Sequence, residues 1–146
     1  MFGKRSLGPG VTYILFLELP EPGWIGVGSL GDVYFRDGVY VYVGRARSNP
    51  EARIRRHILG PGKKRWHIDS LREHAEPLGL ILMPGAWWES VVASYLSEVY
   101  LPIPGFGGTD IGSSTLFYLG KEFDPLQVLE LLEEKFSKVE FADHVI

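Results

Sequence analysis

Apolar residues run almost unbroken from Val11 to Leu19, VTYILFLEL, and stop at Pro20-Glu21-Pro22-Gly23. A short β-branched and aromatic run closed by turn residues predicts a well-buried strand. Trp24–Val27 and Asp32–Phe35 flank Ser29-Leu30-Gly31, which predicts a hairpin. Asp37-Gly38 is the next turn signal, and Val39–Val43 the strand after it. Three or four antiparallel strands therefore precede the first helix.

The period then changes. Asn49-Pro50-Glu51 combines an N-cap residue, a proline at the first helical position and an acid in the first turn. That helix is expected to run to about Leu59, where Gly60-Pro61-Gly62 stops it. A second helix is expected near Trp66–Ala75, ending before Pro77, and a short strand at Leu80–Met83. Trp87–Tyr100 reads as a third helix ended by Pro102 and Pro104, and Thr115–Leu119 as a strand. Asp124-Pro125 opens a last helix through about Phe136, with Leu126, Leu129, Leu132 and Phe136 on one stripe. The sum is an α+β class: a small central antiparallel sheet flanked by helices. The strands-first order argues against a dinucleotide-binding start. Gly26-Val27-Gly28 is not followed by the helix that such a site needs.

Composition narrows the chemistry. At 146 residues the chain is read as one domain, 1–146, with a C-terminal helix and strand over about 124–142. No apolar run approaches the roughly 18 residues needed to span a bilayer, and MFGKRSLGPG lacks the apolar centre of a signal peptide. A cytoplasmic protein without a membrane partner is the expectation. With no Cys, disulfides and thiolate metal sites are excluded. The net charge of -3 conceals an asymmetry: residues 45–67 hold Arg45, Arg47, Arg53, Arg55, Arg56, Lys63, Lys64 and Arg65 against the single acid Glu51. A polyanion responds to such a local patch rather than to net charge, because salt confines the field to about 8–10 Å. A solvated helix face with a basic loop is the competing explanation.

The segment from Tyr40 to His57, YVYVGRARSNPEARIRRH, carries the most chemistry. Period two puts Tyr40 and Tyr42 on one strand face and Val41 and Val43 on the other. Gly44 permits a tight exit or a close approach by a ligand. Arg53 and His57 lie four apart on one helix face, and Arg56 borders it. A guanidinium matches phosphate oxygens, and an imidazole exchanges protons near neutrality. Aromatic packing and solvation explain these residues taken singly.

These motifs resemble the GIY-YIG nuclease superfamily, in particular a branch of small single-domain archaeal and bacterial proteins. Gly10-Val11-Thr12-Tyr13 resembles its GIY strand, Tyr42-Val43-Gly44 its YIG strand, and Arg53 with His57 its first helix. Lys64-Arg65-Trp66-His67-Ile68-Asp69 resembles the branch's WHID segment. Gly105-Phe106-Gly107-Gly108-Thr109-Asp110 through Leu116-Phe117-Tyr118 resembles its GFG…LFY segment. The likeness covers about residues 10–119. Tyr13 and Tyr42 stand farther apart than the family's two tyrosines, so an extra hairpin must fit between the two motif strands. Gly108, Ile111, Gly112 and Thr115 stand in a segment where the branch often carries Cys and His, and Asp110 receives no role.

The resemblance implies a metal-dependent endonuclease acting on nucleic acid, DNA rather than RNA. It implies one Mg²⁺ or Mn²⁺ held by Glu89, and Tyr13, or else Tyr42, taking a proton from the attacking water. Arg53 would contact the phosphate and His57 would orient the nucleophile. Arg45, Arg47, Arg56, Lys63, Lys64, Arg65 and His67 would bind flanking phosphates. Each has a structural alternative: Glu89 as an acid at a helix start, His67 as a satisfied structural histidine beside Trp66, Trp87 and Trp88 as packing rather than base stacking. Asp69 and Glu98 are weaker ligand candidates, and His74 and His144 read as surface residues. Two other functions fit the same chain: a nucleic-acid-binding module without turnover, or a partner-binding scaffold. With no second domain in view, recognition falls to this domain, a homodimer or a partner.

Overall fold

A computed structural model of the protein describes residues 10–46, 52, 55, 67–106 and 114–135. Strand β1 (Val11–Leu19) is its central element, buried at every position but Glu18. A strand buried on both faces needs a layer on each side and a partner at each edge. Its antiparallel partners are β4 (Gly38–Ala46) on one edge and β5 (Glu76–Pro84) on the other. Strand β7 (Leu116–Gly120) and the two-residue β6 (Leu101–Pro102) complete a five-stranded sheet ordered β5-β1-β4-β7-β6. Between β1 and β4, strands β2 (Gly23–Gly26) and β3 (Asp32–Phe35) form a separate hairpin around a 3₁₀ turn at Gly28–Leu30.

Three continuous helices lie among the described residues: α1 (His67–Arg72), α2 (Trp88–Val99) and α3 (Pro125–Lys135). The class is α+β with an antiparallel sheet and an inserted hairpin, as the hydrophobic pattern predicts. Ala52 and Arg55 are helical, in agreement with the helix expected from Pro50. The other residues of that expected helix, Arg53, Arg56 and His57 among them, lie outside the described residues. So do Arg47, Lys63, Lys64, Arg65, Asp110 and His144. No helix among the described residues is long and apolar enough to cross a membrane.

The sheet separates two cores. Tyr13, Leu15, Leu17, Tyr40 and Tyr42 face Ile68 and Leu71 of α1, together with Phe35 and Phe106. Ile14, Phe16, Val41 and Val43 face Val92, Ala93 and Leu96 of α2 and Val128 and Leu132 of α3. The alternation read from YVYVG thus holds, and it assigns the tyrosines to the α1 side.

Three expected boundaries move. Strand β5 spans nine residues rather than Leu80–Met83. Its extension carries Pro77, which a central strand would not tolerate, but β5 is an edge strand with a register shift opposite Phe16/Leu17. Helix α1 is six residues long, shorter than Trp66–Ala75. Strand β6 forms at Leu101–Pro102, where the prolines signalled only the end of α2. Asp124 accepts a hydrogen bond from the Leu126 amide at 3.0 Å, the cap expected before Pro125.

At the far end of the sheet Tyr40 donates to the Arg36 carbonyl and Tyr118 to that of Asp37, each at 2.7 Å. Burial, reinforced by the neighbouring Tyr118, raises the Tyr40 pKa well above its ordinary value of about 10. The fold favours the neutral phenol, so the unfolded chain ionises first. This contribution is complete below pH ~10 and is lost as pH rises further. In an ultraviolet phenolate titration Tyr40 is expected to stay protonated until the domain unfolds. A phenolate count that includes Tyr40 in still-folded protein would refute this.

Candidate functional site

The candidate residues gather where β1 begins and β4 and β5 end. There Val11 pairs with Ala46, Thr12 with Arg45 and Tyr13 with Gly44 across β1–β4. Across β1–β5, Thr12 pairs with Met83. Residues opposite one another in an antiparallel pair share a face, so Thr12 and Arg45 lie on the α2 side and Tyr13 and Gly44 on the α1 side. The chain leaves β5 through Gly85, whose φ of +95° an L side chain rarely adopts. Thr12 Oγ1 donates to the Gly85 carbonyl at 2.7 Å, and the Gly85 amide donates to that of Gly10 at 3.0 Å. These bonds set the point at which α2 starts.

Four residues beyond Gly85, Glu89 falls in the first turn of α2, where a carboxylate complements the helix dipole. It is 8% exposed although it is an acid. Arg45 offsets part of that burial: its Nε lies 3.5 Å from Glu89 Oε1. The guanidinium side chain is 34% exposed and the carboxylate 11%, so the pair sits at a mouth open to solvent on the arginine side. An arginine so placed can exchange its carboxylate for a phosphate, which presents the same oxygen geometry.

On the opposite face Tyr13 lies over Gly44. A Cβ at Gly44 would stand 2.3 Å from Tyr13 Cζ and 2.4 Å from its hydroxyl oxygen. The close approach expected at Gly44 is therefore made by the protein's own ring, and β4 continues past it to Ala46. Tyr42 is 9% exposed and its ring centroid is 6.2 Å from that of Tyr13, which has no exposed surface. The structure brings the two phenols together and brings Arg45 to Glu89, but puts the two pairs on opposite sides of the sheet.

His67 opens α1, on the side of the sheet that carries Tyr13 and Tyr42. Its Nδ1 lies 3.2 Å from the Gly105 carbonyl and its Nε2 3.5 Å from Ser29 Oγ. A carbonyl only accepts, so the network places the proton on Nδ1. The ring also meets Phe106 edge-on at 6.0 Å. The imidazole thus joins the hairpin turn to the 103–106 loop, which favours its structural alternative over a phosphate contact.

Glu89 offers one carboxylate, and the described residues contain no group of three His, Asp or Glu arranged for a metal. This donor set suits a largely hydrated Mg²⁺ or Mn²⁺, which needs one or two carboxylates beside water and phosphate. It does not suit a protein cage. Sequence reasoning gave Arg45 and Glu89 separate roles and missed their pairing and the Thr12–Gly85 clamp. No local signal could have shown either, because both depend on strand register.

A family model described as "Domain of unknown function DUF123" matches residues 12–138, a span that includes both pairs. Comparison with curated proteins and with solved structures finds no match.

Proposed function

We propose that this chain, which belongs to the DUF123 family, a domain of unknown function, is a divalent-metal-dependent endonuclease of the GIY-YIG type that hydrolyses phosphodiester bonds in nucleic acid, DNA in preference to RNA. The observation that carries this reading is Glu89: a nearly buried carboxylate at a helix start, held beside Arg45 at an open sheet end. The order of the motifs along residues 10–119 supports it.

In this reading Glu89 would hold one Mg²⁺ or Mn²⁺, which when bound supplies Lewis acidity at the scissile phosphate. Arg45 would leave Oε1 for a phosphate oxygen and offset the charge that builds in the transition state. Arg53 would add a second guanidinium, and Arg47, Arg56, Lys63, Lys64 and Arg65 would follow the flanking backbone. His57 would take the proton of the attacking water, since its ordinary pKa lies near neutrality. Tyr13, wholly enclosed, is left a positioning role beneath Gly44, with Tyr42 beside it. The cytoplasm, where such a substrate is met, is the proposed compartment.

The test is cleavage of duplex, branched and single-stranded DNA with Mg²⁺ or Mn²⁺. Activity that disappears in Arg53→Ala, with the melting curve unchanged, is the expected result. Intact substrates throughout, across both metals, would remove the enzymatic reading. The complete burial of Tyr13 favours one alternative, a binding module that keeps the scaffold without turnover. That module would bind nucleic acid in a salt-dependent way, with no metal requirement.

A further inference from the structure

The turn from β5 into α2 holds a feature that phosphate chemistry does not use. Trp87 is 59% exposed, yet it is stacked on Trp88 with centroids 4.0 Å apart and planes 30° from parallel. Trp88 in turn packs against the core on the α2 side. The Nε1 edge of Trp87 is seated on Gly85, where a Cβ would lie 2.6 Å from it. The indole is thus braced by a ring and by a glycine that leaves it room, while more than half its surface stays open. Core packing explains Trp88 but not Trp87.

Location gives the exposed ring a meaning. Trp87 precedes Glu89 by two residues, and its seat Gly85 is clamped by Thr12, the register partner of Arg45. A phosphate drawn to Arg45 would bring its own nucleoside within this turn. Bases inside a continuous duplex already stack on their neighbours and offer no free face. A base in a single strand, a bulge or a frayed end does.

We propose that Trp87 is a nucleobase platform, and that the substrate presents an unstacked base next to the phosphate held at Arg45. The phosphate's place rests on the nuclease reading; binding to the platform needs no turnover. The occupant is nucleic acid rather than a second copy of this chain, because the turn that carries the ring leads directly into Glu89 and its partner Arg45, and a guanidinium matches the phosphate that a base brings with it.

The experiment measures binding by the full chain, without divalent metal, to a single-stranded oligonucleotide carrying 2-aminopurine and to a blunt duplex. Trp87→Ala should weaken single-strand binding about 5- to 160-fold, the range one base–aromatic stack supplies, and leave duplex binding unchanged. Quenching of 2-aminopurine should occur with wild type and with Trp87→Phe but vanish with Trp87→Ala. Equal losses on both substrates, no loss on either, or no binding by wild type would overturn the proposal. So would a dimer that dissociates in Trp87→Ala while single-strand affinity holds. Selective loss in a protein that cleaves nothing would leave the platform standing and remove the nuclease.

Discussion

Gly44→Ala should destabilise the domain by about 3 kcal/mol, an overpacking cost at the upper end of the usual range. On backbone grounds alone the sign would be opposite. Gly44 lies in a strand without the positive φ that favours glycine, and replacing such a glycine by alanine usually stabilises by about 0.4–1 kcal/mol through the unfolded chain. Space decides instead. The new methyl would fall 2.3 Å from Tyr13 Cζ and 2.7 Å from Cε2, in a ring with no exposed surface and no room to withdraw. Tyr13→Phe should not rescue it, because removing the hydroxyl leaves both ring carbons in place. A smaller aliphatic residue at position 13 should reduce the cost of Gly44→Ala, giving a coupling that a double-mutant cycle reads directly. Urea midpoints with an unchanged slope are the measurement. A neutral or stabilising Gly44→Ala would show that the tyrosine does not rest on Gly44 in solution.

That pair also marks how far the sequence could be read. Strict alternation in YVYVG placed Tyr40 and Tyr42 on one face, because period two is a local property. Which layer covers that face is not local. It follows from β1 pairing with both β4 and β5, and from α1 lying on one side while α2 and α3 lie on the other. The resemblance implies that Tyr13 or Tyr42 acts at a metal held by Glu89, but it rests on motifs in order, and order does not fix sides. Pro77 shows the same limit on a smaller scale. Proline reads as a breaker until the strand is known to be an edge with a bulge. Signals carried by a single residue's chemistry came through intact, as at Asp124 capping α3 and at the Gly31 turn of the hairpin.

Glu89→Gln should lower metal-dependent cleavage by at least about 10²-fold, the scale on which single transition-state contacts are lost, while the melting temperature changes little. Glutamine keeps the shape, and its amide oxygen can still face Arg45. The ion pair itself stabilises by no more than about 1 kcal/mol, because Arg45 is a third exposed and its charge is screened. Arg45→Gln separates the two duties assigned to this mouth. It removes the cation beside Oε1, so Mn²⁺ binding followed by paramagnetic resonance should tighten. It also removes a phosphate contact, so nucleic-acid binding should weaken across all sequences, with the salt slope reduced by about one. These opposite signs are the decisive feature. A structural pair would lose both affinities together as Glu89 moves. A competing pair would gain one and lose the other, because in the proposed reading the guanidinium beside Glu89 would have to be drawn away by a phosphate before the carboxylate could take a metal.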